Sequence, residues 1–119
     1  MITTQDNLNW IVIDPAAGVS IAPLVGDPQQ AGPYTARFRF PKGYEDGAHR
    51  HTVDEFITIL KGRGRMAFGE TARPADGEAW GPGSFLNLPA GNWHSFRVDE
   101  DLECEVHSFG PYEATTERA

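Results

Sequence analysis

Cysteine is almost missing from this chain. Cys104 stands alone, which excludes an internal disulfide framework and a multi-cysteine zinc finger and fits a reducing compartment. Basic residues are also scarce. Lys and Arg together number 10 against 17 Asp and Glu, a net charge of −7. A nucleic-acid partner is therefore not expected, since such binders present a basic face to the phosphates. No apolar run approaches the length of a membrane span, and the amino terminus lacks the basic start and apolar middle of a signal peptide. A cytoplasmic protein without a membrane partner is the expectation. Helical periodicity is missing too. What replaces it is 13 Gly and 9 Pro, a composition that favours many turns. The densest acidic run, Asp99, Glu100, Asp101, Glu103 and Glu105, reads as a solvated turn followed by the outer face of a strand. At 119 residues and with no internal repeat, the chain suits one domain over 1–119.

What is present reads as strands. The run from Leu8 to Ile13 ends at Asp14-Pro15 and predicts an edge strand. Val19–Val25 follows among closely spaced Gly and Pro. From Tyr34 to Phe40 the pattern alternates, with Ala36, Phe38 and Phe40 on one face and Thr35, Arg37 and Arg39 on the other. Arg37 and Arg39 are expected on a solvent face rather than in a pocket. Phe56–Leu60 is nearly continuous in apolar character and predicts a strand covered on both sides. Lys61–Gly64 reads as a turn, with Arg65–Phe68 returning as the hairpin partner. Pro89-Ala90-Gly91 breaks two further strands. In the last strand Leu102, Cys104 and Val106 lie opposite Glu103, Glu105 and His107. The tail from Pro111 to Ala119 has little apolar content and is expected to fray. Short antiparallel strands at this spacing predict an all-β sandwich or barrel.

The chemistry concentrates between Gly43 and Gly62. His49 and His51 are one residue apart and Glu55 follows four positions later. On a strand these three share a parity, so two imidazoles and a carboxylate converge on one face. His94, after the Pro89–Gly91 turn, completes a set of three histidines and one carboxylate. That donor set suits one divalent transition ion, among Fe(II), Mn(II), Ni(II), Zn(II) and Cu(II). His107 is expected to face solvent or pair with a neighbour, and Cys104 to be a small core residue. Trp10, Trp80 and Trp93 read as packing residues. Ile57, Ile59 and Phe96 share the parities of the ligands and are expected to line an apolar pocket, within reach of Tyr34 and Arg65.

The spacing resembles that of a small single-domain cupin. The first cupin motif, Gly-x5-His-x-His-x(3,4)-Glu-x6-Gly, is matched by Gly43, His49, His51, Glu55 and Gly62. The second, Gly-x5-Pro-x-Gly-x2-His-x3-Asn, is matched by Gly83, Pro89, Gly91 and His94, while Val98 stands at its final position. The motifs occupy 43–62 and 83–98. The resemblance implies an antiparallel jelly-roll β-barrel and a metal held by His49, His51, Glu55 and His94.

Two functions follow from that resemblance. One is an enzyme acting on a small oxygenated organic molecule, with an iron-dependent dioxygenase as the first expectation and a metal-dependent isomerase or cyclase beside it. The other is a non-catalytic module that senses or stores a metal or ligand, since the zinc-binding cupin lobes of bacterial anti-sigma factors resemble this layout as well. Four protein ligands on an octahedral ion leave two positions for substrate, whereas four on tetrahedral zinc close the site. No general base stands out. A homodimer through exposed sheet edges is expected.

Overall fold

A computed structural model of the protein describes residues 2–116. Among these residues nine strands run in chain order: β1 (Ile11–Asp14), β2 (Val19–Val25), β3 (Gly32–Phe40), β4 (Glu45–His51), β5 (Glu55–Phe68), β6 (Glu78–Trp80), β7 (Phe85–Leu88), β8 (His94–Gly110) and β9 (Ala114–Thr115). Helix among the described residues is limited to short 3-10 turns at Gln5–Asn7 and Pro74–Asp76. All pairings are antiparallel. The architecture is the expected all-β jelly roll.

Two long strands organise it. β5 and β8 pair along almost their whole length, from Phe56 opposite His107 to Phe68 opposite His94, with register shifts around Lys61 and Arg63. There both strands bend and pass from one layer to the other. The carboxyl-terminal half of β8 carries β3, β2 and β1 on its far edge, and the amino-terminal half of β5 carries β7. In the other layer the amino-terminal half of β8 pairs with β4, and β4 with β9, while the second half of β5 takes β6. The core lies between the layers and includes Ile21, Tyr34, Ala36, Ile59, Met66, Trp80, Val98, Leu102, Cys104 and Val106.

Several expectations change here. Lys61–Gly64 is not a turn, and Arg65–Phe68 is not a hairpin partner, because both belong to the single strand β5. Likewise Asp99–Asp101 continues β8 instead of turning. The bend needs glycine rather than a reversal. Gly62 has φ +96°, and a Cβ there would run into the Asp101 carbonyl oxygen, while one on Gly64 would run into the Arg97 carbonyl and the Trp80 ring. Phe56–Leu60 is covered on one side only. Ile59 is buried, but Leu60, on the opposite face of β5, is exposed. The tail does not fray over Pro111–Thr116. β9 pairs Arg50 with Thr115 and His51 with Ala114, and the Tyr112 amide donates to the Pro28 carbonyl at 2.7 Å. Residues 117–119 of that tail lie outside the described residues. β1 is at the edge of the sheet, as expected, although shorter than the apolar run that predicts it.

Alternation holds where it is cleanest. Ala36 is buried and Phe38 and Phe40 pack against the core, while Arg37 and Arg39 bond Glu105 and Glu103 on the outer face at 3.1 and 2.9 Å. Thr35 and Glu105 hold the exposed His107 on that same face. Trp80 is in the core. Trp10 and Trp93 instead pack under the guanidinium groups of Arg39 and Arg50.

Candidate metal centre

The register of β4 against β8 places His49 directly opposite His94. His51, two residues further along β4, projects to the same side. The three rings form a tight triangle, with centroid separations of 4.4 Å for His49–His94 and 4.9 Å for each of the other pairs. One nitrogen from each ring lies within 4.8 Å of the others, and all three residues are buried. Glu55 is buried as well, and its carboxylate stands against His51 Nδ1. It does not share a strand with the histidines. Bends at Thr52 and Val53 interrupt the chain, and Glu55 opens β5. The carboxylate therefore reaches the group by a change of strand, not by parity along one.

Backbone contacts orient the rings. The Nδ1–H of His49 donates to the Gly47 carbonyl at 2.7 Å, and that of His94 to the Asn92 carbonyl at 3.1 Å. A carbonyl can only accept, so both rings carry a proton on Nδ1, which leaves Nε2 as the atom each can offer to a metal. His94 is held neutral further by burial and by its neighbour His49, which push its pKa down to about 4 against the Asn92 bond that raises it. The turn carrying His94 is tied to the turn carrying Glu55. Gly91 N–H donates to the His51 carbonyl at 2.9 Å, and Ala90 N–H donates to Asp54 Oδ1 at 2.7 Å. Ser108 Oγ closes the set by donating to the Asp54 carbonyl at 2.6 Å.

These residues fit a metal ion. Two imidazoles held through Nδ1 leave Nε2 for a ligand in a buried space, and His51 Nδ1 has no hydrogen-bond partner although a carboxylate oxygen stands beside it. A divalent cation satisfies such a donor set, which would otherwise carry the desolvation cost of unpaired polar atoms. Val98, at the departure from the second motif, is a core residue. Its backbone accepts from Gly43 N–H and donates to the Tyr44 carbonyl, both at 2.8 Å, so the departure leaves the histidines untouched.

Beside the site a cavity of about 710 Å³ opens between the layers. Ile57, Ile59, Phe96 and Tyr34 line it, as expected from parity, together with Cys104. Arg65 does not reach it, and donates instead to the Gly77 carbonyl at 3.0 Å. Burial lifts the Cys104 thiol to about 12, so it is an inert wall residue. Two residues went unrecognised in the sequence. Tyr112 places its hydroxyl 3.2 Å from His51 Nε2, and Asp46 lies 3.7 Å from His49 Nδ1. The one signal for Tyr112 was an aromatic residue in an otherwise polar tail.

Comparison with known proteins agrees with this architecture. The family model described as "Cupin domain" matches residues 36–110, so the chain is a member of the cupin family. Similar solved structures include the polyketide cyclase RemF from Streptomyces resistomycificus, at 19% identity and TM-score 0.71 over 99% of this chain and 87% of that one. A sugar phosphate isomerase from Silicibacter pomeroyi is similar at 19% identity and TM-score 0.73, over 100% and 83% of the two chains. A predicted oxalate decarboxylase from Thermotoga maritima is similar at 22% identity and TM-score 0.69, over 92% and 98%. At these identities the likeness shows the fold alone. No curated protein matches the sequence.

Proposed function

We propose that this cupin is a metal-dependent enzyme acting on a small oxygenated organic molecule, with one divalent transition ion held by His49, His51, Glu55 and His94. Dioxygenase-type chemistry with iron is the reaction class put forward first. The observation that supports catalysis is the cavity of about 710 Å³ against which the histidine triangle opens. A structural metal site is closed by its own ligands, whereas this one adjoins a space of ligand size. A bound ion supplies Lewis-acid activation of a coordinated oxygen, and iron adds redox capacity. The chain's own residues do the rest. The Gly47 and Asn92 carbonyls orient His49 and His94 through Nδ1, and apolar side chains make up most of the cavity wall beside them.

A second reading, isomerisation or cyclisation of the same kind of molecule, is favoured by the phenols. Burial, reinforced by the negative charge of Glu55, pushes Tyr34 up to about 12 and Tyr112 above the ordinary tyrosine range. Both stay protonated at neutral pH, and both line the cavity as hydrogen-bond donors. The test begins with protein purified without added metal and elemental analysis of the bound ion. Oxygen consumption of the iron-loaded form is then measured against diketones, flavonols and thiols. Uptake with any of them supports the dioxygenase reading, and metal-dependent conversion without uptake supports the second. Stoichiometric zinc with no exchangeable water would leave a non-catalytic module. His49→Ala and His94→Ala are each expected to lower bound metal at least tenfold, and unchanged metal content in both would refute the ligand assignment.

A further inference from the structure

The charge of the cavity wall bears on what enters it. Among the described residues that line the cavity none is Lys or Arg, whereas Asp14, Asp27, Asp46 and Glu55 all line it. The cations are placed elsewhere by strand alternation and by the outer surface. Arg37 and Arg39 pair with Glu105 and Glu103, Arg97 with Asp99, and Arg73 with Asp76. A divalent ion brings a charge of +2, which the two carboxylates nearest the histidines, Glu55 and Asp46, offset. Among the described lining residues no positive charge is left over for a phosphate or a second carboxylate on the substrate.

The wall next to the site is aromatic. Asp46 and Phe96 form the rung of the β4–β8 ladder that precedes the His49–His94 rung. Phe96 meets Phe40 edge-on at 5.6 Å and Tyr44 at 5.6 Å, and Phe40 and Tyr44 lie 4.9 Å apart. Phe40, Tyr44 and Phe96 are half-buried and line the cavity, so they present ring surface to whatever occupies it. A flat apolar molecule can place its ring on this wall while an oxygen substituent points along the ladder toward the histidines.

We infer that the site selects an uncharged aromatic molecule bearing a hydroxyl or keto oxygen, and rejects phosphorylated or otherwise anionic analogues, with Phe40, Tyr44 and Phe96 as the specificity wall. This rests on the reading of the cavity as the substrate site of a metal enzyme. The test uses a matched pair of probes, 2-naphthol and 2-naphthyl phosphate, titrated by fluorescence against chelator-treated and zinc-loaded protein. Naphthol is expected to bind at least tenfold tighter than its phosphate in both forms. Phe96→Leu, which keeps an apolar side chain in place, is expected to weaken naphthol about fivefold. Asp46→Asn, on a half-buried residue, is expected to narrow the discrimination by raising affinity for the phosphate. Equal or tighter binding of the phosphate, binding of neither probe, or naphthol affinity unchanged in both Phe96→Leu and Tyr44→Leu would overturn the inference. The two proposals fail separately. Naphthol bound by a protein that converts nothing sinks catalysis and leaves the selectivity standing, whereas turnover of a phosphorylated or polycarboxylated compound does the reverse.

Discussion

His49 and His94 each have Nδ1 committed to a backbone carbonyl and Nε2 available, and that asymmetry makes the cluster a donor set rather than a polar fault in the core. The commitment comes from carbonyls two residues back, Gly47 for His49 and Asn92 for His94. It has a measurable consequence in metal-free protein. His94 has its pKa lowered to about 4 in the fold against about 6.5 in the unfolded chain. Between those values the unfolded state binds a proton that the native state does not, so stability is full above pH 6.5 and falls as pH drops toward 4. The loss amounts to about 3 kcal/mol from this group. Urea unfolding of chelator-treated protein at pH 7 and pH 4.5 checks it, and His94→Asn is expected to flatten the dependence. The four ligand candidates were legible because spacing encodes them. Asp46 was not, since a register shift in β4 between it and His49 breaks strict alternation, and Tyr112 was not, since it reaches His51 from a segment far along the chain.

At the scale of elements, β5 and β8 decide where everything else goes. Their shared bend transfers both strands between layers, and Gly62 and Gly64 sit where the two strands approach closely. Gly62→Ala meets two penalties, a left-handed φ and contact with the Asp101 carbonyl, and is expected to destabilise the protein by about 2 kcal/mol or more. Gly43 has φ +90° but open space around its Cβ position, so Gly43→Ala meets only the first and is expected to lose about 1 kcal/mol. Denaturant midpoints of the two variants separate these terms, and an equal loss in both would show that the contact contributes nothing. The glycines here read as a turn in sequence because Lys61-Gly62-Arg63-Gly64 has turn composition. In the fold they let two long strands cross closely.

The whole molecule leaves an apolar edge uncovered. Ile11, Val12 and Ile13 of edge strand β1 are all exposed, and Ile11 and Ile13 also border the cavity. We propose that a second copy of the chain covers this edge, because an unpaired apolar edge strand invites pairing. Sedimentation is expected to give twice the 13.1 kDa chain mass, and Val12→Lys to shift it toward monomer. A concentration-independent monomer would refute the pairing. No helix among the described residues is long and apolar enough to cross a membrane.

The sequence by itself determined the strand character, the inward faces of β3 and the end of β8, and which residues are candidate ligands. These are properties of local alternation and spacing, written over a few residues at a time. Tertiary structure alone decided that Glu55 arrives from a different strand than His51, that the acidic run continues a strand, and that the tail closes against β4. It also decided which charges face the cavity. Those depend on pairings between residues far apart in the chain, such as His49 with His94 and Arg50 with Thr115, and backbone hydrogen bonds of that kind leave no periodic trace in either partner's side chains.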